Sequence, residues 1–235
     1  MKKYLVSLLV ALTIGLTFFS ISSYSSRFKN HEPHKIRYVA LGDSYTIGEG
    51  VRSYEAFPEV LVKMLNREGV QVKLIANPSV TGWTTQDLIE KELPIYDSSR
   101  PEFATLLIGV NDWVQEVDEE LFHKNLIQIL DRMQTKLPDK HHLILITIPD
   151  FSVTPTGKNF DQDGDAEAGI ARFNTIIKEE GKLRNLPVAD IYPLTQRMKD
   201  NREFINPDGL HPSPKEYELW AEKILPIALK TLTSK

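Results

Sequence analysis

The chain has 235 residues, a formal net charge of −4 and no cysteine. The slightly acidic balance argues against nucleic acid as a partner, because binding to phosphate groups needs a basic surface. The lack of cysteine excludes disulfides, thiolate metal sites, a cysteine nucleophile and a lipid-modified cysteine anchor within this chain. A hydrophobic content of 41% and a charged content of 26% are typical of a globular domain with its own core.

The N-terminal region has the pattern of an export signal. Lys2 and Lys3 precede an uncharged run from Tyr4 to Ile21, and several serines follow it. A basic start, an apolar stretch and a small-residue exit predict a secretory signal. The run is long for a cleaved signal and close to the minimum for a spanning helix, so residues 1–26 are either a signal peptide or a membrane anchor.

Both alternatives place the rest of the chain outside the cytoplasmic membrane, because the lysines stay inside. We therefore predict an exported, extracytoplasmic protein that is secreted or anchored by residues 4–21, with membrane contact through this segment. Residues 27–35 are interpreted as a polar tether. The folded domain is expected over residues 36–235.

From Ile36 onward, five short apolar runs alternate with helical patterns. The runs predicted as strands are Ile36–Leu41, Val70–Ala76, Phe103–Ile108, Leu143–Ile148 and Pro187–Ile191. Strands that are apolar throughout are typical of a parallel sheet covered on both faces. The alternation predicts right-handed crossovers and a three-layer α/β/α domain with the strand order 2-1-3-4-5, which is the simplest for this size.

The helices between the strands have recognisable ends. An apolar stripe over residues 57–65 is followed by Gly69, which is typical of a helix C-terminus. Asp118 is a predicted N-cap. The last helix is predicted to begin after Ser213, because Ser213 and Glu216 form a capping-box pattern with proline at the first helical position.

Polar residues that suit acyl transfer follow the predicted strands. Ser44 lies just after the first strand, Gly82 after the second and Asn111 after the third, while Asp208 and His211 lie beyond the fifth. The carboxyl ends of parallel strands share one edge of the sheet, where α/β proteins bind their ligands. These five residues are therefore expected to meet there.

The chemistry of these residue types assigns a role to each. A serine hydroxyl needs a neighbouring base, which makes Ser44 the predicted nucleophile and His211 the predicted base. Asp208 can accept from the far ring nitrogen and orient the imidazole. The Ser44 N–H, the Gly82 N–H and the Asn111 amide are the predicted donors to an oxyanion.

Four short blocks in this chain resemble the GDSL/SGNH hydrolase family. They are Gly42-Asp43-Ser44, the isolated Gly82, Gly109-x-Asn111-Asp112 and Asp208-x-x-His211-Pro212. The resemblance covers Ile36 to about Leu229, although Tyr45 stands where leucine is usual. It implies a flavodoxin-like fold and a serine hydrolase of carboxylic esters or thioesters that uses no metal and no cofactor, with the same five residues in the same roles.

The resemblance leaves the substrate open. The undecorated domain is similar to the lysophospholipase, thioesterase and arylesterase branch, so a small-molecule or lipid ester is the expected substrate. Sugar-ester deacetylases share the same blocks, which keeps a carbohydrate O-acetylesterase as an alternative. The alternative outside enzymes is a membrane-tethered binding module without turnover.

Two further features flank the predicted site. The aromatic residues Tyr45, Trp83, Trp113 and Phe151 either line a substrate pocket or anchor loops, and the sequence does not decide between these roles. The long irregular stretch 149–165 follows the fourth strand, and we expect it to shape access to the site. Its acidic part departs from the EF-hand pattern, so no metal is expected there.

Overall fold

The computed structural model describes residues 34–161 and 164–233, and five parallel strands in this part of the chain form one sheet. The strands are β1 (Ile36–Gly42), β2 (Val72–Ala76), β3 (Phe103–Leu107), β4 (Leu143–Ile146) and β5 (Val188–Ala189). Their order is β2-β1-β3-β4-β5, with every neighbouring pair parallel. The predicted fold class and strand order are confirmed.

The fifth strand is shorter than predicted. The expected run Pro187–Ile191 shrinks to two residues, which pair with Leu145 and Ile146 at the edge of the sheet. Residues beyond β5 turn away because Thr147 uses its Oγ1 to accept the N–H groups of Ile191 and Tyr192, at 2.9 and 3.2 Å.

Helices cover both faces of the sheet. They are α1 (Ser44–Ile47), α2 (Phe57–Arg67), α3 (Thr85–Asp87), α4 (Leu93–Ser99), α5 (Val110–Val114), α6 (Glu119–Lys136), α7 (Ala166–Arg184), α8 (Tyr192–Thr195) and α9 (Pro214–Thr233). A π-helical turn, Leu88–Glu92, joins α3 to α4, and 3₁₀ turns lie at Ser53–Glu55, Gly157–Phe160, Gln196–Asp200 and Arg202–Phe204. Helix α2 packs on α9, whereas α6 packs on α4 and α7.

The central strand β1 determines where the site lies. Residues Tyr38 to Leu41 are fully buried. Burial of a valine or leucine side chain, such as Val39 or Leu41, contributes about 1.5–3 kcal/mol. The last residue of β1, Gly42, pairs with Leu107 at the end of β3. The segments that follow β1 and β3 therefore leave the sheet side by side, which brings Ser44 and Asn111 to the same edge.

The caps of two helices were predicted, and one differs from the prediction. Asp118 accepts the N–H groups of Glu120 and Leu121 at the start of α6, as expected. Ser213 accepts the Glu216 N–H at a long 3.4 Å, but the Glu216 carboxylate accepts the Trp220 indole N–H at 2.8 Å instead of reaching back. The capping box is half formed because a buried indole needs an acceptor.

The predicted signal or anchor, residues 1–26, lies outside the described residues, as does the tether up to residue 33. In the part of the chain that the structure describes, no helix has the length and apolar character needed to cross a membrane.

Candidate active site

The serine turn, residues 42–45, is built into the core at the end of β1. Asp43 caps α1, and its Oδ1 accepts the Tyr45 N–H at 3.0 Å. A Cβ at position 42 would lie 2.1 Å from the Leu107 carbonyl oxygen, so only glycine fits between the two strands. Ser44 is 5% exposed at the N-terminus of α1. The close approach at Gly42 fixes the position of the serine relative to the sheet.

The histidine loop, residues 205–212, holds an aspartate–histidine pair. His211 Nδ1 lies 2.7 Å from Asp208 Oδ2. The other carboxylate oxygen of Asp208 accepts the N–H groups of Leu210 and His211, at 2.8 and 3.0 Å. A carboxylate only accepts hydrogen bonds, so the proton of a neutral ring lies on Nδ1 and Nε2 keeps its lone pair.

The same contacts stabilise the charged form of Asp208. Partial burial works against ionisation, but the Leu210 N–H and both His211 donors outweigh it and hold the pKa of Asp208 below its ordinary value. Asp208 therefore stays a carboxylate at neutral pH and can stabilise a protonated imidazole.

The histidine loop is bonded to the segment that follows α1, and it contacts Tyr45 of the serine turn. Asn206 Nδ2 donates to the Gly50 carbonyl at 2.7 Å, across 156 residues of sequence, and Asn206 N–H donates to the His211 carbonyl at 2.7 Å. The Tyr45 ring meets the His211 ring edge-on at 5.5 Å between centroids. Among the described residues Ser44 Oγ makes no hydrogen bond. A hydrogen bond between a serine hydroxyl and a histidine ring in such a site often forms only when a substrate is bound.

Two of the three predicted oxyanion donors, Gly82 and Asn111, lie on segments that are hydrogen-bonded to each other. Asn111 Nδ2 donates to the Trp83 carbonyl at 2.9 Å, and Gln115 Nε2 donates to the Gly82 carbonyl at 3.0 Å. An amide carries two N–H groups, so Asn111 keeps one for a further acceptor. Gly82 has φ 84°, and no atom lies within 4 Å of a Cβ built there, so the backbone conformation alone requires glycine.

The buried Asp112, next to Asn111, adds a further link between these two segments by bonding Thr85. Its carboxylate accepts both the N–H and the hydroxyl of Thr85, at 2.9 and 2.5 Å. Burial raises the pKa of Asp112, against the hydrogen bonds from Thr85. Asp43 and Asp112 therefore each accept a backbone N–H, from Tyr45 and from Thr85.

A match to a protein-family model identifies the family of this chain. Residues 40–219, more than half of the chain, match the GDSL-like Lipase/Acylhydrolase family. The chain belongs to this family. The predicted relationship is confirmed, and the match spans all four blocks that carried the resemblance.

Solved structures share the fold of this GDSL-like protein. The lipase/acylhydrolase of Enterococcus faecalis is 24% identical with a TM-score of 0.66, covering 85% of this chain and 98% of that one. TesA is 18% identical with a TM-score of 0.66 over 83% and 99%. The acetyl xylan esterase AlAXEase is 22% identical with a TM-score of 0.65 over 82% and 99%. The family supports a hydrolase, and these neighbours share its fold.

A curated protein of Mycoplasma pneumoniae, described as uncharacterized, is 26% identical over 141 residues. The match covers 57% of this chain and 16% of that protein, so this GDSL-like chain spans about a sixth of its relative.

Two of the four aromatic candidates for substrate binding are buried. Tyr45 is 3% exposed and packs between His211 and Trp220, and Phe151 is 2% exposed. Burial favours the anchoring role for both. Trp83 and Trp113 are half-buried, and contact of these two with a substrate stays a prediction.

The stretch after β4 contacts the histidine loop directly. Thr156 Oγ1 donates to the Asp208 carbonyl at 2.8 Å, and Thr156 N–H donates to the Gly209 carbonyl at 2.9 Å. A Cβ at Gly209 would lie 2.5 Å from Thr156 Oγ1. This part of the predicted access loop therefore supports the loop that holds Asp208 and His211, a role that was not predicted for it.

Three residues of this site were missed from the sequence. Asn206 and Thr156 hold the histidine loop, and Glu92 accepts the Gly42 N–H at 3.1 Å beneath the serine turn. Asn206 precedes Pro207, a pairing typical of turns, which was the one available signal.

Proposed function

We propose that this GDSL-like protein is a serine ester hydrolase that acts through an acyl-enzyme. The observation that carries the proposal is the Asp208–His211 pair, 2.7 Å apart, on a loop fastened next to the serine turn. Asn111 and Gly82, on two segments that are bonded to each other, are the proposed donors for an oxyanion. Together they form the set that nucleophilic acyl transfer requires.

The proposed reaction begins with a proton transfer. Ser44 Oγ attacks the acyl carbon while His211 Nε2 takes its proton, and Asp208 stabilises the imidazolium. The carbonyl oxygen becomes an oxyanion that accepts from Ser44 N–H, Gly82 N–H and Asn111. Collapse of this intermediate expels the alcohol, which leaves with the proton from His211.

The acyl group is then removed by hydrolysis, with His211 again accepting and returning a proton. Water attacks the acyl carbon of the ester on Ser44 and gives its proton to His211 Nε2. The second oxyanion uses the same donors. Its collapse returns the proton to Ser44 Oγ and releases the carboxylic acid, so atoms and charge balance over the cycle.

Covalent labelling tests this proposal on the full chain. A fluorophosphonate probe should modify Ser44, identified by peptide mass, and the protein should hydrolyse an activated short-chain ester. Ser44→Ala should abolish labelling and lower turnover by about 10⁶-fold. A chain that folds but neither reacts nor turns over an ester would favour the alternative of a binding module.

Lipid or small-molecule esters are the proposed substrates, and one observation favours an acetylated carbohydrate as second candidate. A cavity of about 500 Å³ lies next to α5, the helix that carries Asn111. It is lined by Trp113 and Phe160 together with polar residues such as Asn159 and Arg172. Its aromatic rings and polar groups suit a sugar better than an acyl chain, although Ser44, Asn111 and His211 are not among its lining residues. Turnover of an acetylated xylo-oligosaccharide against long-chain esters distinguishes the two.

We also propose that the protein is exported. This rests on the sequence of residues 4–21 and its flanking lysines. Protease added to intact cells should digest the domain, and the mass of the mature protein should show whether residues 1–26 are removed. Protection of the domain in intact cells would contradict export.

A further inference from the structure

Glu92 brings a buried carboxyl group beneath the serine turn. It is fully buried at the end of the π-helical turn Leu88–Glu92, and its Oε2 accepts the Gly42 N–H. A π turn adds a residue to the helical repeat and is frequent at functional sites. Here the turn precedes α4. Its last residue is Glu92, whose carboxylate accepts the N–H of Gly42 at the end of β1.

Glu92 and Asp43 each have one oxygen without a partner. Glu92 Oε1 and Asp43 Oδ2 are closed off from solvent and make no hydrogen bond in the described part of the chain. The second oxygen of each carboxyl holds the backbone of the serine turn, at Gly42 N–H and at Tyr45 N–H. Buried polar atoms nearly always have partners, so these two call for an explanation.

One proton explains both oxygens, whereas the unpartnered buried hydroxyls of Thr46 and Tyr217 each have one hydrogen to donate and would leave two buried charges in place. An ionised carboxylate can only accept, so two carboxylates leave both oxygens unsatisfied and repel each other. A carboxylic acid next to a carboxylate donates one O–H, which satisfies both oxygens and removes one buried charge. Asp43 and Glu92 interact electrostatically, as expected for such a pair.

The groups around the pair favour retention of this proton. Asp112 on α5 faces Asp43 and adds negative charge, while the phenols of Tyr45 and of Tyr217 on α9 are the other titratable groups facing it. No described lysine or arginine contributes to either carboxyl. Burial raises the pKa of Glu92 to about 9 and that of Asp43 to about 7, each against a backbone hydrogen bond that lowers it.

We propose that Glu92 and Asp43 share one proton, and that Glu92 is thereby a positioning residue for Ser44. The O–H of Glu92 donates to Asp43 Oδ2, and the joined pair holds the N–H groups of Gly42 and Tyr45 on either side of the serine. The positioning role rests on the proposed hydrolase function, whereas the shared proton does not. Glu92 acts through the serine turn and does not contact the substrate.

The shared proton gives stability a defined dependence on pH. The unfolded chain releases the glutamate proton near its ordinary value of 4.5, and the folded chain releases it near about 9. Between these values the unfolded state binds fewer protons than the folded state, so the free energy of unfolding falls as pH rises.

Amide substitutions test the proton itself. Glu92→Gln keeps an oxygen for Gly42 N–H and presents an N–H to Asp43, so the single variant should lose less than about tenfold in turnover. Asp43→Asn supplies the same N–H from the other side. The double variant sets two N–H groups against each other, and turnover should fall by about tenfold or more below the product of the single effects. Effects that simply multiply would overturn the proposal.

Urea unfolding provides a readout that needs no substrate. Between about pH 7 and about pH 9, above the raised pKa of Asp43, the unfolding free energy of wild type should fall, and Glu92→Gln should flatten this slope. Glu90→Gln, an exposed neighbour that bonds Gln86, is the matched control and should keep it. An equal slope in Glu92→Gln and wild type would contradict the shared proton. If wild type fails to react with a fluorophosphonate while this slope behaves as stated, the hydrolase proposal alone fails.

Discussion

The serine turn and the histidine loop are held in opposite ways. The serine turn lies in the core, where Gly42 leaves no room for a side chain and two buried carboxyls hold the backbone. The histidine loop lies at the surface, with 36% of the Asp208 side chain exposed, and hydrogen bonds from other segments hold it. Changes in the first region should therefore reduce stability, whereas changes in the second should reduce activity alone.

Asp208→Asn is the strongest test of that contrast. The variant keeps an oxygen for the backbone N–H groups of Leu210 and His211, but its amide N–H faces the ring and favours the wrong tautomer of His211. Turnover of an activated ester should fall by about 10⁴-fold, and the unfolding free energy should change by less than about 0.5 kcal/mol. Asp200→Asn, exposed on the preceding segment, is the control. A comparable loss in that control would contradict the assigned role.

Asn111→Ala tests the predicted oxyanion donor that follows β3. Loss of one oxyanion donor typically lowers turnover by about 10²- to 10³-fold. The bond to the Trp83 carbonyl is lost as well, so the unfolding free energy should fall by about 1 kcal/mol. Ester kinetics and urea unfolding measure the two quantities. A variant that loses stability but keeps its turnover would exclude Asn111 as a donor.

Gly42→Ala is the corresponding test of the serine turn. The new methyl would lie 2.1 Å from the Leu107 carbonyl and 2.3 Å from Thr46 Oγ1, so β1 and β3 must separate. The unfolding free energy should fall by about 3 kcal/mol. Gly69→Ala is the matched control, because it has φ 87° and open space around it, and strain alone should cost about 1–2 kcal/mol. Equal losses at both positions would show that the close packing at Gly42 has no importance.

Thr156→Val should have the smallest effect of the four. It removes the hydroxyl that donates to the Asp208 carbonyl but keeps the backbone bond to Gly209. Turnover should fall by about tenfold through misplacement of His211, with KM nearly unchanged. Thr156→Ser keeps the hydroxyl and should restore the rate. If both variants behave alike, the hydroxyl does not position the base.

The sequence was sufficient for the sheet and for the edge at which the predicted site residues lie. Short apolar runs alternating with helices predict parallel strands, and parallel strands end together, which brings Ser44 and Asn111 to one edge. The contacts that hold these residues were not predictable. The Asn206–Gly50 and Glu92–Gly42 bonds join residues 156 and 50 positions apart, and no local pattern encodes them.

Burial explains the other differences. Tyr45 and Phe151 were candidates for a substrate pocket because they flank the motifs, but packing against α9 and α5 buries them. Glu216 matched a capping-box pattern in the sequence, but its carboxylate accepts the indole N–H of Trp220 instead of the backbone N–H of Ser213. Tertiary packing thus buried the two aromatic rings, whereas an i, i+4 contact within α9 replaced the capping-box bond.

The central claim is that Ser44 is a nucleophile activated by His211. A crystal structure of the full chain after reaction with a small fluorophosphonate tests it most directly. We expect phosphorus on Ser44 Oγ, that oxygen about 2.6–3.2 Å from His211 Nε2, and the phosphoryl oxygen within hydrogen-bonding distance of Gly82 N and Asn111 Nδ2. An unmodified Ser44, or a modified one with His211 turned away from it, would contradict the claim.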